Sequence, residues 1–174
     1  MSRINYDLKL IRGIAFDVDG VLSPAVVPLG DDGVPRRMAN LRDGYSIVRA
    51  VKEGLHIALI SGADTPAVRA RFANMGVSDQ YLGNGDKLTW LREWMDKYNL
   101  AYEEVAYCGD DIPDLEPMKM VGLPVAPRDA APEIKEVAKY ITVAAGGYGV
   151  GRELLEEILR VRNAWPVNDK AFGQ

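Results

Sequence analysis

Gly13-Ile14-Ala15-Phe16-Asp17-Val18-Asp19-Gly20 is a short apolar run that ends in two carboxylates and a glycine. Gly13 to Val18 reads as a buried strand, bounded too closely for a helix. Asp17 and Asp19 fall near its carboxyl end, where a bend at Gly20 lets them point differently. Outward along the chain, His56 to Ile60 and Val105 to Cys108 read as two more buried strands. Leu123 to Ala126, Tyr140 to Val143 and the very short Gln80 to Leu82 are weaker strands of the same kind.

Helix-period segments lie between them. Asp43 to Glu53 starts at a capping acid and stops at Gly54. Thr65 is an N-cap with Pro66 at the first helical position and Gly76 past the end. Leu88, Leu91, Met95 and Tyr98 form an apolar stripe, and Leu115 to Met120, Pro132 to Lys139 and Glu153 to Arg162 are further helices. This alternation predicts an α/β fold: a three-layer, Rossmann-like parallel sheet with right-handed crossovers. Ligands in such sheets sit beyond the carboxyl ends of the strands. The alternation breaks at Leu22 to Leu41, where two apolar runs flank Gly30-Asp31-Asp32-Gly33, and this reads as a projecting β-hairpin. Residues 1–165 form a single expected domain, and Pro166 to Gln174 is polar and expected to be a loose tail.

Composition sets the outer limits. The 174 residues carry 21 basic and 25 acidic side chains, a net of -4, which disfavours a nucleic-acid phosphate track. With one cysteine, Cys108, no internal disulfide is possible, and a cytoplasmic home is expected. The first residues are too polar for a signal peptide, and no apolar run approaches the ~20 residues that span a bilayer.

The chemistry-bearing residues gather at strand ends. Asp17 and Asp19 follow the first strand; Gly109-Asp110-Asp111, with Asp114, follows Val105 to Cys108. Neighbouring parallel strands lie about 5 Å apart, so these carboxylates converge and need a cation. Oxygen-only donors of high charge suit magnesium. Any one of these acids alone suits a helix cap; two clusters at corresponding strand ends do not. Ser61-Gly62 can hold phosphate oxygens at a strand-to-helix turn. Lys87, at the start of a helix, can neutralise both a nucleophilic carboxylate and a phosphoryl group.

Asp17-x-Asp19, Ser61, Lys87 and Gly109-Asp110-Asp111-x-x-Asp114, in that order, resemble the four signature motifs of the haloacid dehalogenase superfamily of phosphohydrolases. The resemblance implies that Asp17 is the nucleophile forming an aspartyl phosphate and that Asp19 is the general acid and base. It implies magnesium on the Asp17 carboxylate, the Asp19 backbone carbonyl and Asp110, supported by Asp111 and Asp114. Ser61, Gly62 and Lys87 would bind the phosphoryl group. Members of the superfamily usually carry an inserted cap. Only 41 residues separate Asp19 from Ser61 here, and 22 separate Lys87 from Asp110, so no cap domain fits.

Arg42-Asp43-Gly44-Tyr45, Tyr107-Cys108-Gly109-Asp110-Asp111 and Ala145-Gly146-Gly147-Tyr148-Gly149-Val150-Gly151-Arg152-Glu153 are similar to the 3-deoxy-D-manno-octulosonate 8-phosphate phosphatase family. That family acts in lipopolysaccharide precursor synthesis and forms tetramers, so a homo-oligomer is expected. Arg42, Asp43, Tyr148 and Arg152 become substrate-binding candidates. Two positions depart from the family: Ala63-Asp64 and Tyr148 stand where it commonly has arginines, which leaves a nine-carbon sugar acid 9-phosphate as an alternative substrate. A phospho-accepting receiver domain also places acids, a hydroxyl and a lysine on a parallel sheet. Its motif order differs, and an acid/base two residues from the nucleophile favours turnover. The complete catalytic set also disfavours a non-catalytic scaffold.

Overall fold

The alternating runs become six parallel strands in the computed structural model, which describes residues 2–166. In chain order the elements are β1 (Gly13–Phe16), α1 (Leu41–Lys52), β2 (His56–Ser61), α2 (Pro66–Asn74), β3 (Asp79–Leu82), α3 (Lys87–Tyr98), β4 (Val105–Cys108), α4 (Leu115–Met120), β5 (Leu123–Ala126), α5 (Pro132–Val137), β6 (Tyr140–Ile141) and α6 (Val150–Val161). The sheet order is β3-β2-β1-β4-β5-β6, so the first strand lies between the two that carry the other motifs. Phe16 pairs with both Leu59 and Cys108.

Every residue of β1 and β4 is buried, which explains their unbroken apolar runs: helices cover both faces. Alternate side chains then go to opposite cores. Ile14, Phe16, Ile57, Leu59 and Cys108 meet Ile47, Phe72, Leu154 and Ile158 on the face of α1, α2 and α6. Ala15, Ala58, Ile60 and Tyr107 meet Leu91, Trp94, Met118 and Ile134 on the face of α3, α4 and α5.

Several boundaries differ from expectation, each for a local reason. β1 stops at Phe16 because the chain turns on the Val18 carbonyl, which accepts the N–H groups of Val21, Leu22 and Ser23. The segment 22–41 reverses as a hairpin but keeps only one antiparallel bridge, Leu29 with Pro35. Prolines 28 and 35 carry no donor, so a longer ladder has too few N–H groups. β6 ends at Ile141 because the Glu153 carboxylate takes the N–H groups of Val143 (2.9 Å) and Ala144 (3.0 Å). The tail beyond Pro166 lies outside the described residues.

Asp43 is the largest correction. It does not cap its own helix: Asn40 does, accepting from the N–H groups of Arg42 (2.9 Å) and Asp43 (3.2 Å). Asp43 is instead 3% exposed, and its Oδ1 accepts the Arg152 N–H at 2.6 Å, deep in sequence from its own position. The N-cap of α6 is Gly149, which has no side chain, so Asp43 does the capping from across the core. This is why α6 begins at Val150 rather than Glu153: Gly151 lies against Leu22 and the Asp43 carboxylate, where a Cβ would come to 3.1 Å and 3.3 Å.

Burial raises the Asp43 carboxyl to about 6, against the opposing pull of the Arg152 N–H and the Arg152 and Arg71 charges. The folded chain therefore holds a proton that the unfolded chain releases, and stability falls as pH rises through roughly 4 to 6. The full cost, about 3 kcal/mol, applies above that window. Asp43→Asn keeps the acceptor for Arg152 and removes the charge. Urea denaturation on either side of the window is expected to show the wild type losing about 3 kcal/mol more than the variant as pH rises. Equal losses would contradict this role for Asp43.

Candidate active site

Four chain segments converge at the carboxyl end of the sheet. Asp17 extends β1 by one rung, its N–H donating to the Cys108 carbonyl at 3.0 Å, and Ser61 ends β2. Lys87 is the first residue of α3, whose start is fixed by Asp86 accepting the Thr89 N–H at 2.9 Å. Asp110 and Asp114 follow β4.

Lys87 draws these segments together. Its Nζ donates to Asp17 Oδ2 at 2.8 Å and to Asp114 Oδ1 at 2.7 Å. Asp114 is fully buried and also accepts from Tyr107 Oη at 2.8 Å and from the Asp110 N–H at 3.1 Å. It ties the lysine, the strand and the next acid into one network. The other Asp17 oxygen accepts the Val18 N–H at 2.6 Å, and the buried Ser61 hydroxyl at the end of β2 accepts the Ala63 N–H at 3.2 Å.

The Asp17–Gly20 turn is packed from two sides. Gly20 has φ +78°, and a Cβ there would lie 1.9 Å from Asp110 Oδ2. Glycine is therefore required both by the backbone conformation and by the approach of the acid. On the outer side, a Cβ on Gly146 would lie 2.1 Å from the Gly20 carbonyl oxygen. The Gly146-Gly147 stretch thus presses directly on the Asp17–Gly20 turn and is held by Asp129, which accepts the Gly146 N–H at 2.8 Å.

Asp17, Asp110 and Asp114 each offer an oxygen within 4.8 Å of the others. Burial, then repulsion from Asp114, raises Asp17 to about 6 even though Lys87 and Ser61 pull it down. Burial, followed by Asp17, Asp114 and Asp111, raises Asp110 to about 7. Burial alone would lower the Lys87 ammonium, but Asp17 and Asp114 outweigh it and hold the lysine charged. One ammonium among three carboxylates leaves negative charge uncompensated. An all-oxygen site of that charge fits a hard divalent cation.

The remaining candidates are placed differently. Asp111 is exposed and caps the turn at 112–114 by accepting the Ile112 N–H at 2.8 Å, outside the cluster. Asp19 also stands apart from the cluster, gripped at the rim by Arg37 through Nε–Oδ1 and Nη2–Oδ2, both 2.8 Å. Gly62 is exposed and faces open space. Arg42 and Tyr148 are exposed, and Asp43 is buried as the α6 cap. Arg152 pairs with Glu156 at 2.6 Å and lies 4.4 Å from the Trp165 ring centre, turned to the packing of α6. At the departures from the family pattern, Ala63 is buried, and Asp64 is exposed and held by Arg69. The structure adds Arg37 and Tyr107 to the site. Tyr107 was readable from strand parity, whereas Arg37 depends on how the hairpin folds back. Beside the rim, a cavity of about 700 Å³ opens between the hairpin, α1 and α2, with Val18, Arg37, Met38, Asp64 and Phe72 among its walls.

Comparison with known proteins agrees with this geometry. The model of the haloacid dehalogenase-like hydrolase family matches residues 64–154. Over 164 residues the chain is 38% identical to the 3-deoxy-D-manno-octulosonate 8-phosphate phosphatase KdsC of Escherichia coli K12, covering 94% of this chain and 86% of that protein. It is similar to the crystal structure of the phosphatase of the same name from Yersinia pestis, with TM-score 0.86 and 34% identity over 90% of this chain and 85% of that one. The Moraxella catarrhalis phosphatase, solved with magnesium, phosphate and KDO, gives TM-score 0.84 and 31% identity over 90% of each chain.

The raised carboxyls give the cation a pH signature. Below their pKa values Asp17 and Asp110 hold protons that a divalent ion must displace; above them the ion relieves repulsion already present. Magnesium is expected to raise the melting temperature markedly at about pH 8 and little at about pH 5. Equal gains at both pH values would remove these carboxylates from the metal site.

Proposed function

The chain belongs to the haloacid dehalogenase-like hydrolases, in the capless family of 3-deoxy-D-manno-octulosonate 8-phosphate phosphatases, and on that premise we propose that it is a magnesium-dependent phosphomonoester hydrolase. Its proposed reaction converts 3-deoxy-D-manno-octulosonate 8-phosphate to the free sugar acid and phosphate, a cytoplasmic step of lipopolysaccharide precursor synthesis. The observation that carries the reading is the Lys87 bridge between Asp17 and Asp114 inside a cluster of three carboxylates. Identity of 38% over nearly the whole chain to a phosphatase of that substrate supports the substrate class.

Asp17 is the nucleophile. Its carboxylate attacks phosphorus, the sugar oxygen leaves with a proton from Asp19, and an aspartyl phosphate results. Asp19 then takes a proton from water as the water oxygen attacks phosphorus, freeing phosphate and restoring the Asp17 carboxylate. Lys87, Ser61 and the Gly62 N–H hold the phosphoryl oxygens, and Asp114 and Tyr107 keep Lys87 aimed at them. The Asp17 carboxylate, the Asp19 backbone carbonyl and Asp110 would hold magnesium, with Asp114 behind them; Asp111 would support it through the turn it caps. Bound there, magnesium supplies charge neutralisation for the phosphoryl group.

Buried Ala63 and exposed Tyr148, in place of arginines common in the family, favour a second reading: a nine-carbon sugar acid 9-phosphate as substrate. The phosphatase chemistry is the same in both. We also propose a homo-oligomer, a tetramer by family resemblance. On the hairpin, Val26 is 89% and Leu29 72% exposed, apolar surface that suits contact with another copy.

Asp17→Asn tests the nucleophile. Phosphate release from the sugar acid phosphate is expected to fall about a thousandfold or more with the circular dichroism spectrum unchanged. Near-normal turnover would falsify the assignment.

A further inference from the structure

The grip of Arg37 on Asp19 is not required by the hydrolytic chemistry, and it is asymmetric. Both prongs of the guanidinium are used, each at 2.8 Å. The Arg37 side chain is 14% exposed and the Asp19 side chain 43%, so the arginine is the seated partner and the carboxylate the outer one. The backbone beside Arg37 is pinned on both sides: the Arg36 N–H donates to the Pro28 carbonyl at 2.8 Å, and the Met38 N–H to Ser23 Oγ at 3.0 Å. Asp19 lies inside the tight turn closed on the Val18 carbonyl, so its two side-chain torsions are the soft coordinates.

This arrangement commits both Asp19 oxygens to the rim, away from the cluster of Asp17, Asp110 and Asp114. An acid with both oxygens committed to a guanidinium is not free to exchange a proton with a phosphoryl group bound between Asp17 and Lys87. Arg37 also forms part of the wall of the 700 Å³ cavity between the hairpin, α1 and α2, whose lining includes none of Asp17, Ser61, Lys87 and Asp110. A sugar acid phosphate brings two anions. Its phosphoryl group is met by Lys87 and Ser61, and its carboxylate remains for the rim. A guanidinium fork accepts one carboxylate as readily as another.

We propose that Arg37 is a positioning and specificity residue that exchanges partners. In the free protein it holds Asp19 out of line; when substrate arrives it takes the sugar acid carboxylate, and Asp19 is released to turn toward the scissile oxygen. Binding of the correct acid and arming of the acid/base are then one event. This rests on the sugar acid phosphatase reading above. It also explains how a capless site discriminates: a phosphomonoester without a carboxylate leaves Asp19 held.

The test compares wild type, Arg37→Ala and Arg37→Lys on two substrates, 3-deoxy-D-manno-octulosonate 8-phosphate and p-nitrophenyl phosphate, which has no carboxylate. For Arg37→Ala, kcat/KM for the sugar acid phosphate is expected to fall at least about tenfold, chiefly through KM. For p-nitrophenyl phosphate it is expected to rise about two- to threefold, because Asp19 is no longer restrained. Arg37→Lys keeps the charge without the fork and should shift both substrates in the same crossed directions, less far, which keeps the test open if the alanine variant does not fold. Parallel losses on both substrates, with phosphatase activity intact in the wild type, would overturn the exchange and leave Arg37 a fixed support. A wild type that hydrolyses neither phosphate overturns the underlying phosphatase reading and the exchange with it.

Discussion

A partly buried ammonium held between two buried carboxylates organises this end of the molecule. Among the described residues Lys87 alone reaches both Asp17 and Asp114, and through them it joins the turn after β1, the start of α3 and the segment after β4. The attraction is strong because the groups are desolvated, and for the same reason it is incomplete: one positive charge faces three carboxylates. The raised carboxyls of Asp17 and Asp110 express that deficit. A folded protein ordinarily avoids such a cluster. It is tolerable here because a divalent cation and a phosphoryl group add opposite charges in turn, and the site is poised for both. Stability is given up locally so that the chemistry need not reorganise the site.

The rest of the fold serves to hold that network still. Parallel pairing of β1 with β2 and β4 places the three motif-bearing strand ends side by side. The Gly146-Gly147 stretch presses on the Gly20 carbonyl, and the helix that follows is capped by Asp43 from α1. A segment far along the chain therefore backs the Asp17–Gly20 turn through backbone contact. The hairpin contributes from the opposite side through Arg37. Asp17 is fixed within the carboxylate cluster, whereas Asp19 is held outside it at the rim by Arg37.

How much of this was legible in the sequence depended on the range of each interaction. The strands and helices were, because burial on both faces leaves unbroken apolar runs and because Thr65-Pro66 and Gly76 punctuate α2 through local chemistry. Asp17, Ser61, Lys87 and Asp110 were legible as well, since parallel topology turns sequence order into adjacency at strand ends. Asp43 was misplaced because its partner, the Arg152 N–H, is remote in sequence, and an acid near a helix start looks the same whether it caps that helix or another. Arg152 looked available for substrate, yet Glu156 one turn away and Trp165 claim it. Arg37 was invisible because it adjoins Arg36, and only the fold of the hairpin sends one to Asp32 and the other to Asp19. Local signals read well; long-range pairings of charged side chains did not.

The claim that Lys87 and the carboxylate cluster prepare Asp17 for covalent chemistry can be read directly from the protein. The reaction with sugar acid phosphate labelled in its phosphoryl group would be stopped in acid within the first turnover, and the protein digested and mapped. Label is expected on the peptide that contains Asp17, acid-stable and lost in base as for an acyl phosphate. Phosphate release with no label on the protein at any time, or label on Asp110 or Asp19 instead, would contradict it.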